Sequence, residues 1–310
     1  MKSFKILMKG VFMGIADLVP GISGGTIALI FNIYEKLISS LSKLSIKSLA
    51  KFKESGLISF WVYINGKFLL LLFSGILIGI FFFTYVIDWL INNYITFLLS
   101  FFSGLILSSS YLIFKRIKKP NYNLTFFFIL GIISSLSIVS FNYGLALKFN
   151  SNTLLFVSGF FAISAMILPG LSGAYILILF GTYSEVISLL KEVIKIVLSQ
   201  NVINAKLIFS KLSFFALGII SGLLIFSKIV KWLLNNYYDK TIMFMIGLMI
   251  GGIIEIWPWQ QNGQPVLPFN YIENSNFLLA SIFFTLGGSI IFGLNFLEKK
   301  LNDEKEKNIK

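Results

Sequence analysis

Long, mainly apolar runs cover residues 68–91, 95–114, 124–142, 213–234, 241–257 and 277–297. Each is close to the ~20 residues an α-helix needs to cross a bilayer. Two further stretches, 4–41 and 154–190, are apolar but broken centrally by Pro20-Gly21 and Pro169-Gly170. Proline withdraws an amide donor and glycine admits positive φ, so a helix stops there. The arm before each break is about 15 residues long, short for a full crossing. Each stretch reads as a re-entrant hairpin of two half-helices, or as two strongly tilted short helices. The pattern predicts an all-α, polytopic membrane protein.

The pattern also repeats. Residues 10–41 align with 159–190 at an offset of 149, with 13 identities in 32 positions, including Pro20/Pro169, Gly21/Gly170, Ser23/Ser172, Gly24/Gly173 and Tyr34/Tyr183. Residues 68–94 align with 211–237, pairing Gly75/Gly218, Gly79/Gly222, Trp89/Trp232 and Asn92-Asn93-Tyr94 with Asn235-Asn236-Tyr237. Shared Pro, Trp and Asn-Asn-Tyr set this apart from chance likeness between apolar helices. The expected halves are 1–150 and 151–310, each a hairpin plus three spanning helices. Three is odd, and so is five if each hairpin is two full spans, so the second half enters the membrane inverted. Inverted repeats with broken helices near the midplane are the architecture of secondary transporters.

Composition agrees. Apolar residues make up 56 % of the 310 and charged residues 13 %, against about 25 % charged in a soluble domain. The net charge is +13, nearly all from lysine, since Arg116 is the sole arginine. The lysines cluster beside apolar runs, where they set topology and meet anionic headgroups rather than nucleic acid. With the N-terminus in the cytoplasm, Lys43, Lys47, Lys51, Lys53, Lys67, Lys115, Arg116, Lys118, Lys119 and the tail from Lys299 to Lys310 fall inside. Loops 91–94 and 258–276 fall outside and carry no Lys or Arg; the exception is 191–211, outside with four lysines. The first residues read as mature sequence, because Asp17, Pro20 and Gly21 follow the apolar stretch with no small-residue cleavage site. There is no Cys and no His, which excludes disulfides, thiolate nucleophiles, Cys/His metal sites and imidazole bases. No catalytic residue, cofactor or metal is expected.

The chemistry sits at the breaks. Gly14-Ile15-Ala16-Asp17-Leu18-Val19-Pro20-Gly21-Ile22-Ser23-Gly24-Gly25-Thr26 is the first motif, and Pro169-Gly170-Leu171-Ser172-Gly173-Ala174 the second. Ser23 and Ser172 suit the N-cap of the half-helix that follows. Such an end presents unpaired N–H groups and about half a positive charge. Glycines let a ligand approach the backbone, so Gly21, Ser23, Gly24, Gly25, Thr26, Gly170, Ser172 and Gly173 describe an anion site suited to phosphate. The first motif is expected to face Ser172 and Gly173 across one polar cavity. Asp17 lies one turn before the break, and a carboxylate at that depth costs about 2.5–3.5 kcal/mol on insertion scales. It is therefore protonated, holds a cation such as Na+, or caps backbone. Glu35 and Glu185, just after the hairpins, are further coupling-ion candidates or solvated helix ends. Glu255 and the tryptophans read as interfacial. Gly75/Gly79, Gly218/Gly222 and Gly247/Gly251 read as close helix-packing pairs.

These strings, with Phe180-Gly181-Thr182-Tyr183, resemble the PopT-type polyprenyl-phosphate translocases, formerly a bacterial membrane domain of unknown function. The resemblance covers about 4–297. It implies return of undecaprenyl phosphate from the outer to the inner leaflet of the cytoplasmic membrane, for re-use in cell-envelope synthesis, with H+ or Na+ as coupling ion. Ala174 stands where the family pattern has a small polar residue, so no side-chain role is implied there. Intramembrane undecaprenyl-diphosphate phosphatases share inverted repeats and a Pro-Gly-x-Ser motif, but theirs continues with Arg where Gly24 stands here. A secondary transporter of another anion is the remaining alternative.

Overall fold

A computed structural model describes residues 2–19, 22–44, 56–118, 120–140, 151–199, 205–261, 264–271 and 276–307. Pro20, Gly21, Lys47, Lys51, Lys53, Lys119, residues 141–142 and the last three residues of the tail lie outside them. The described residues are mostly helical. The first half contains α1 (Lys2–Asp17), α2 (Gly24–Ile30), α3 (Tyr34–Ser42), α4 (56–63), α5 (Gly66–Phe114) and α6 (Asn123–Ser140). The second contains α7 (Ser151–Ile167), α8 (Gly173–Leu179), α9 (Tyr183–Ser199), α10 (Ala205–Asn236), α11 (Tyr238–Gly251) and α12 (Phe277–Lys307). Between α11 and α12 lie two 3-10 turns and an antiparallel pair of two-residue strands, Gln260–Gln261 and Gln264–Pro265.

A long helix followed by a seven-residue helix after the break occurs in both halves, as α1–α2 and α7–α8, but α9 has 17 residues where α3 has 9. The expected helices at 68–91 and 95–114 are the two arms of α5, separated where Tyr94 leaves helical geometry at φ −143°, ψ 35°. Tyr237 does the same between α10 and α11, at φ −137°, ψ 46°. The cause is local: the amides of Asn93 and Asn236 donate to the carbonyls of Trp89 and Trp232, four residues back, competing with the helix ladder. One tyrosine then suffices to redirect the chain, so the expected loop 91–94 is a single-residue corner. Two helix ends also move. The α-helix of α11 stops at Gly251 rather than 257, continuing as a 3-10 turn through Ile254 ahead of Pro258. By contrast α12 runs past 297 to Lys307, because its Glu- and Lys-rich end is made of good helix formers.

Helices pack where glycines remove the side chain. A Cβ on Gly75 would overlap the carbonyl of Leu7, one on Gly218 that of Phe156, one on Gly104 that of Phe284, and one on Gly131 that of Phe244. These contacts join α1 to the first arm of α5, α7 to α10, the second arm of α5 to α12, and α6 to α11. Each pair runs in one direction: Gly10 meets Leu72 and Gly14 meets Ile76, while Gly131 meets Phe244 and Gly251 meets Ser135. The last helices of each half thus pack on the other half. The core includes Tyr34, Ile38, Leu72, Ile113, Met245 and Met249, all fully buried. Outward, α5 exposes Leu77, Phe81, Phe82 and Tyr85. Such a surface suits hydrocarbon, and α5 and α10 are long and apolar enough to cross a membrane. The protein is an all-α membrane protein.

Candidate functional site

Ser23 is the N-cap of α2, with extended backbone; its Oγ accepts from Gly25 N at 3.1 Å and donates to Met166 O at 2.9 Å. Asp17 ends α1, and its Oδ1 accepts from Gly24 N at 2.6 Å. A Cβ at 24 would stand 2.7 Å from the other carboxylate oxygen, so a larger residue there would displace the Asp17 side chain. Thr26 Oγ1 accepts from Gly170 N at 2.9 Å. Gly170 has φ +87°, and a Cβ on it would meet Met249 N at 2.6 Å. The two breaks therefore touch directly. Behind Gly25 lie the last carbonyls of α7, since a Cβ there would be 2.8 Å from Met166 O and 2.9 Å from Ile167 O. The negative end of α7 thus faces the positive end of α2.

The other end of α2 meets cations. Lys9 Nζ donates to Phe31 O at 2.6 Å, and Arg116 donates to Leu29 O at 3.3 Å. A seven-residue helix is held by a carboxylate at its N-terminus and two cations at its C-terminus, each complementing its dipole. Neither cation stood out in sequence as part of the site: Lys9 lies in first residues that read as mature sequence, and Arg116 read as one of a basic cluster.

The second break differs. Ser172 is at the N-cap of α8 with extended backbone, but its side chain makes no capping bond, which corrects the expectation that the two serines act alike. Met166 stands where the first copy has Asp17, and its side chain packs against Gly173. No carboxylate meets the first turn of α8 among the described residues. Ser23, Gly24, Gly25 and Thr26 are buried, and their described partners are Met166 and Gly170 rather than Ser172 and Gly173. Glu35 and Glu185 bond elsewhere. Glu35 accepts from Tyr238 OH at 3.1 Å; Glu185 accepts from Lys211 Nζ at 2.6 Å and Ser151 Oγ at 3.0 Å. Both acids open the helix after a half-helix and tie it to neighbouring elements.

A family model described as undecaprenyl phosphate translocase-like (VCA0040-like) matches residues 13–267, which includes both breaks. The chain belongs to this family. It is 37 % identical over 259 residues to a protein of Vibrio cholerae serotype O1 named polyprenyl-phosphate transporter, covering 82 % of this chain and 77 % of that one. A Staphylococcus aureus protein of the same name is 29 % identical over 273 residues, covering 83 % and 88 % respectively. No solved structure matches. Both relatives are named as transporters, and neither those names nor the family's description is that of an enzyme.

Proposed function

We propose that this protein carries undecaprenyl phosphate from the outer to the inner leaflet of the bacterial cytoplasmic membrane, coupled to H+ or Na+. The observation that carries the reading is the Asp17 carboxylate on the Gly24 amide, where the two breaks meet. An amide already binding an oxyanion can bind another. The substrate phosphate takes Asp17's place at Ser23, Gly24, Gly25 and Thr26, with Gly21 of the same motif as a further contact, while Gly170, Ser172 and Gly173 supply the less occupied second end. Charge sets the condition. A phosphate monoester carries about −1.5 to −2 at pH 7, and two helix ends offer about +1 in total. An ionised Asp17 would add a further negative charge, so it takes up a proton or Na+ as the phosphate enters. Asp17 is the principal coupling residue in this reading, and Glu35 and Glu185 hold the helices that follow.

In this arrangement 1–150 and 151–310 form inverted repeats, the hairpins are re-entrant, and both termini are cytoplasmic. The parallel packing of α6 on α11 and of α5's second arm on α12 supports it. If α5 rises from the cytoplasmic face, its second arm and α12 both descend. The test is the outer-leaflet undecaprenyl phosphate pool, measured with a membrane-impermeant phosphate ligand in cells with and without the protein. Loss should enlarge the pool and reintroduction reduce it. An unchanged pool, in cells lacking other carriers for this lipid, refutes the reading.

A further inference from the structure

A second feature lies along α5, beyond the break. The two arms of α5 diverge at Tyr94, and between them is a cleft of about 600 Å³, within the range of ligand pockets at about 300–1,000 Å³. Its walls are aliphatic and aromatic: Val86, Trp89, Tyr94 and Phe101 from α5, Phe283 from α12, and Ile15 from α1. Trp89 and Tyr94 pack together at 5.1 Å, a pairing typical of the membrane–water interface. Ile15 marks the other end, two residues before Asp17, whose carboxylate bonds Gly24. The cleft is open sideways, with Val86 and Trp89 about half exposed. It is thus apolar throughout and open on its flank, and at Ile15 it is bounded by the helix that ends at Asp17, which suits the hydrocarbon chain of an amphiphile whose anionic head sits at the end of that helix.

The repeat-related side is different. There Tyr237, Lys240 and Phe127 take the places of Tyr94, Phe97 and Phe283, and the Lys240 ammonium lies 5.2 and 5.4 Å from the two rings. Where Phe97 stacks on Phe283 at 5.3 Å, the second side presents a charge. In addition, α3 packs along α10, while among the described residues no comparable packing joins α9 to α5. One of two related surfaces is covered and charged; the other is uncovered and apolar.

We propose that the α5 cleft holds the isoprene units next to the phosphate of a polyprenyl phosphate. This rests on the transport reading above, and the test separates the two. The full-length protein in nanodiscs is irradiated with a polyprenyl phosphate carrying a diazirine on its second isoprene unit, and adducts are mapped by mass spectrometry. Adducts should fall on 83–102 and Phe283. Unlabelled polyprenyl phosphate at tenfold excess should suppress them about tenfold, and phosphatidylglycerol at equal concentration should not. Val86→Trp, or the smaller Val86→Phe if the first does not fold, should lower both adduct yield and transport of the long-chain substrate at least fivefold. Adducts equally suppressed by phosphatidylglycerol would mean the cleft holds bilayer lipid, and overturn the proposal. Adducts on other elements, in a protein that still moves polyprenyl phosphate, overturn the cleft and leave the transport reading standing. A wild-type protein that moves no polyprenyl phosphate overturns both.

Discussion

Thr26 does for Gly170 what Asp17 does for Gly24: each supplies an oxygen to an amide that a broken helix leaves unpaired. Removing a buried acceptor costs the donor its desolvation, about 1–3 kcal/mol. Thr26→Val keeps the shape and removes that acceptor, so thermal melting in detergent should show a loss of this size. Asp17→Asn differs in kind, because the amide oxygen still accepts from Gly24 N while the exchangeable charge is gone. That variant should fold and bind lipid phosphate, and its transport should no longer respond to a proton or Na+ gradient in proteoliposomes. Retained gradient dependence would return Asp17 to a purely capping role. The Ser23 cap was legible in sequence because capping is a local relation. The clamp of Lys9 and Arg116 was not, since it joins residues 22 and 87 positions apart. Nor was the inequality of Ser23 and Ser172, which depends on what each oxygen meets across the break.

Helices meet here by backbone approach, so tolerance to substitution should follow the glycines' surroundings. Gly75→Leu forces a side chain into the Leu7 carbonyl and should part α1 from α5, costing at least the roughly 1–3 kcal/mol of ordinary overpacking. Gly293→Ala meets nothing within 4 Å and gains helix propensity of up to about 1 kcal/mol, so its melting temperature should hold or rise. Apolar run length made the helices themselves legible. It also placed the break between 91 and 95, where Asn92 and Asn93 interrupt the apolar runs, but not the ends of α11 and α12, which hydropathy does not set.

At the scale of the molecule the two halves are alike in sequence and unlike in burial. Tyr34 is fully buried and its hydroxyl has no partner among the described residues, whereas its counterpart Tyr183 is 40 % exposed. Ser227 of α10 is likewise buried and unpartnered, while Thr84, at the same place on α5, is exposed and bonded to Ile80 O. A surface that strands hydroxyls costs about 1–3 kcal/mol for each, which suits packing made to separate. For a transporter built this way, the expected outcome is that the packing of α3 on α10 alternates with a packing of α9 on α5. The chain has no cysteine, so introduced pairs report cleanly. Cysteines at 35 and 238, bridged by a short bis-maleimide, should couple readily at rest and stop transport. Cysteines at 184 and 95, the related positions, should couple faster once substrate and gradient are supplied. Equal rates under both conditions would refute the alternation.

The crossing of α5 and α12 also bears on how the chain is made. Gly104 and Gly287 lie in one contact, and 287 − 104 = 183 residues separate them, roughly 10–40 s of synthesis at 5–20 residues per second. Throughout that interval the glycine face of α5's second arm has no partner, and α6 waits in the same way for α11. Neither half can finish alone. A nascent chain halted before 277 should present that bare face to the membrane's proteases, and in pulse-chase labelling its lifetime should be short until α12 leaves the ribosome.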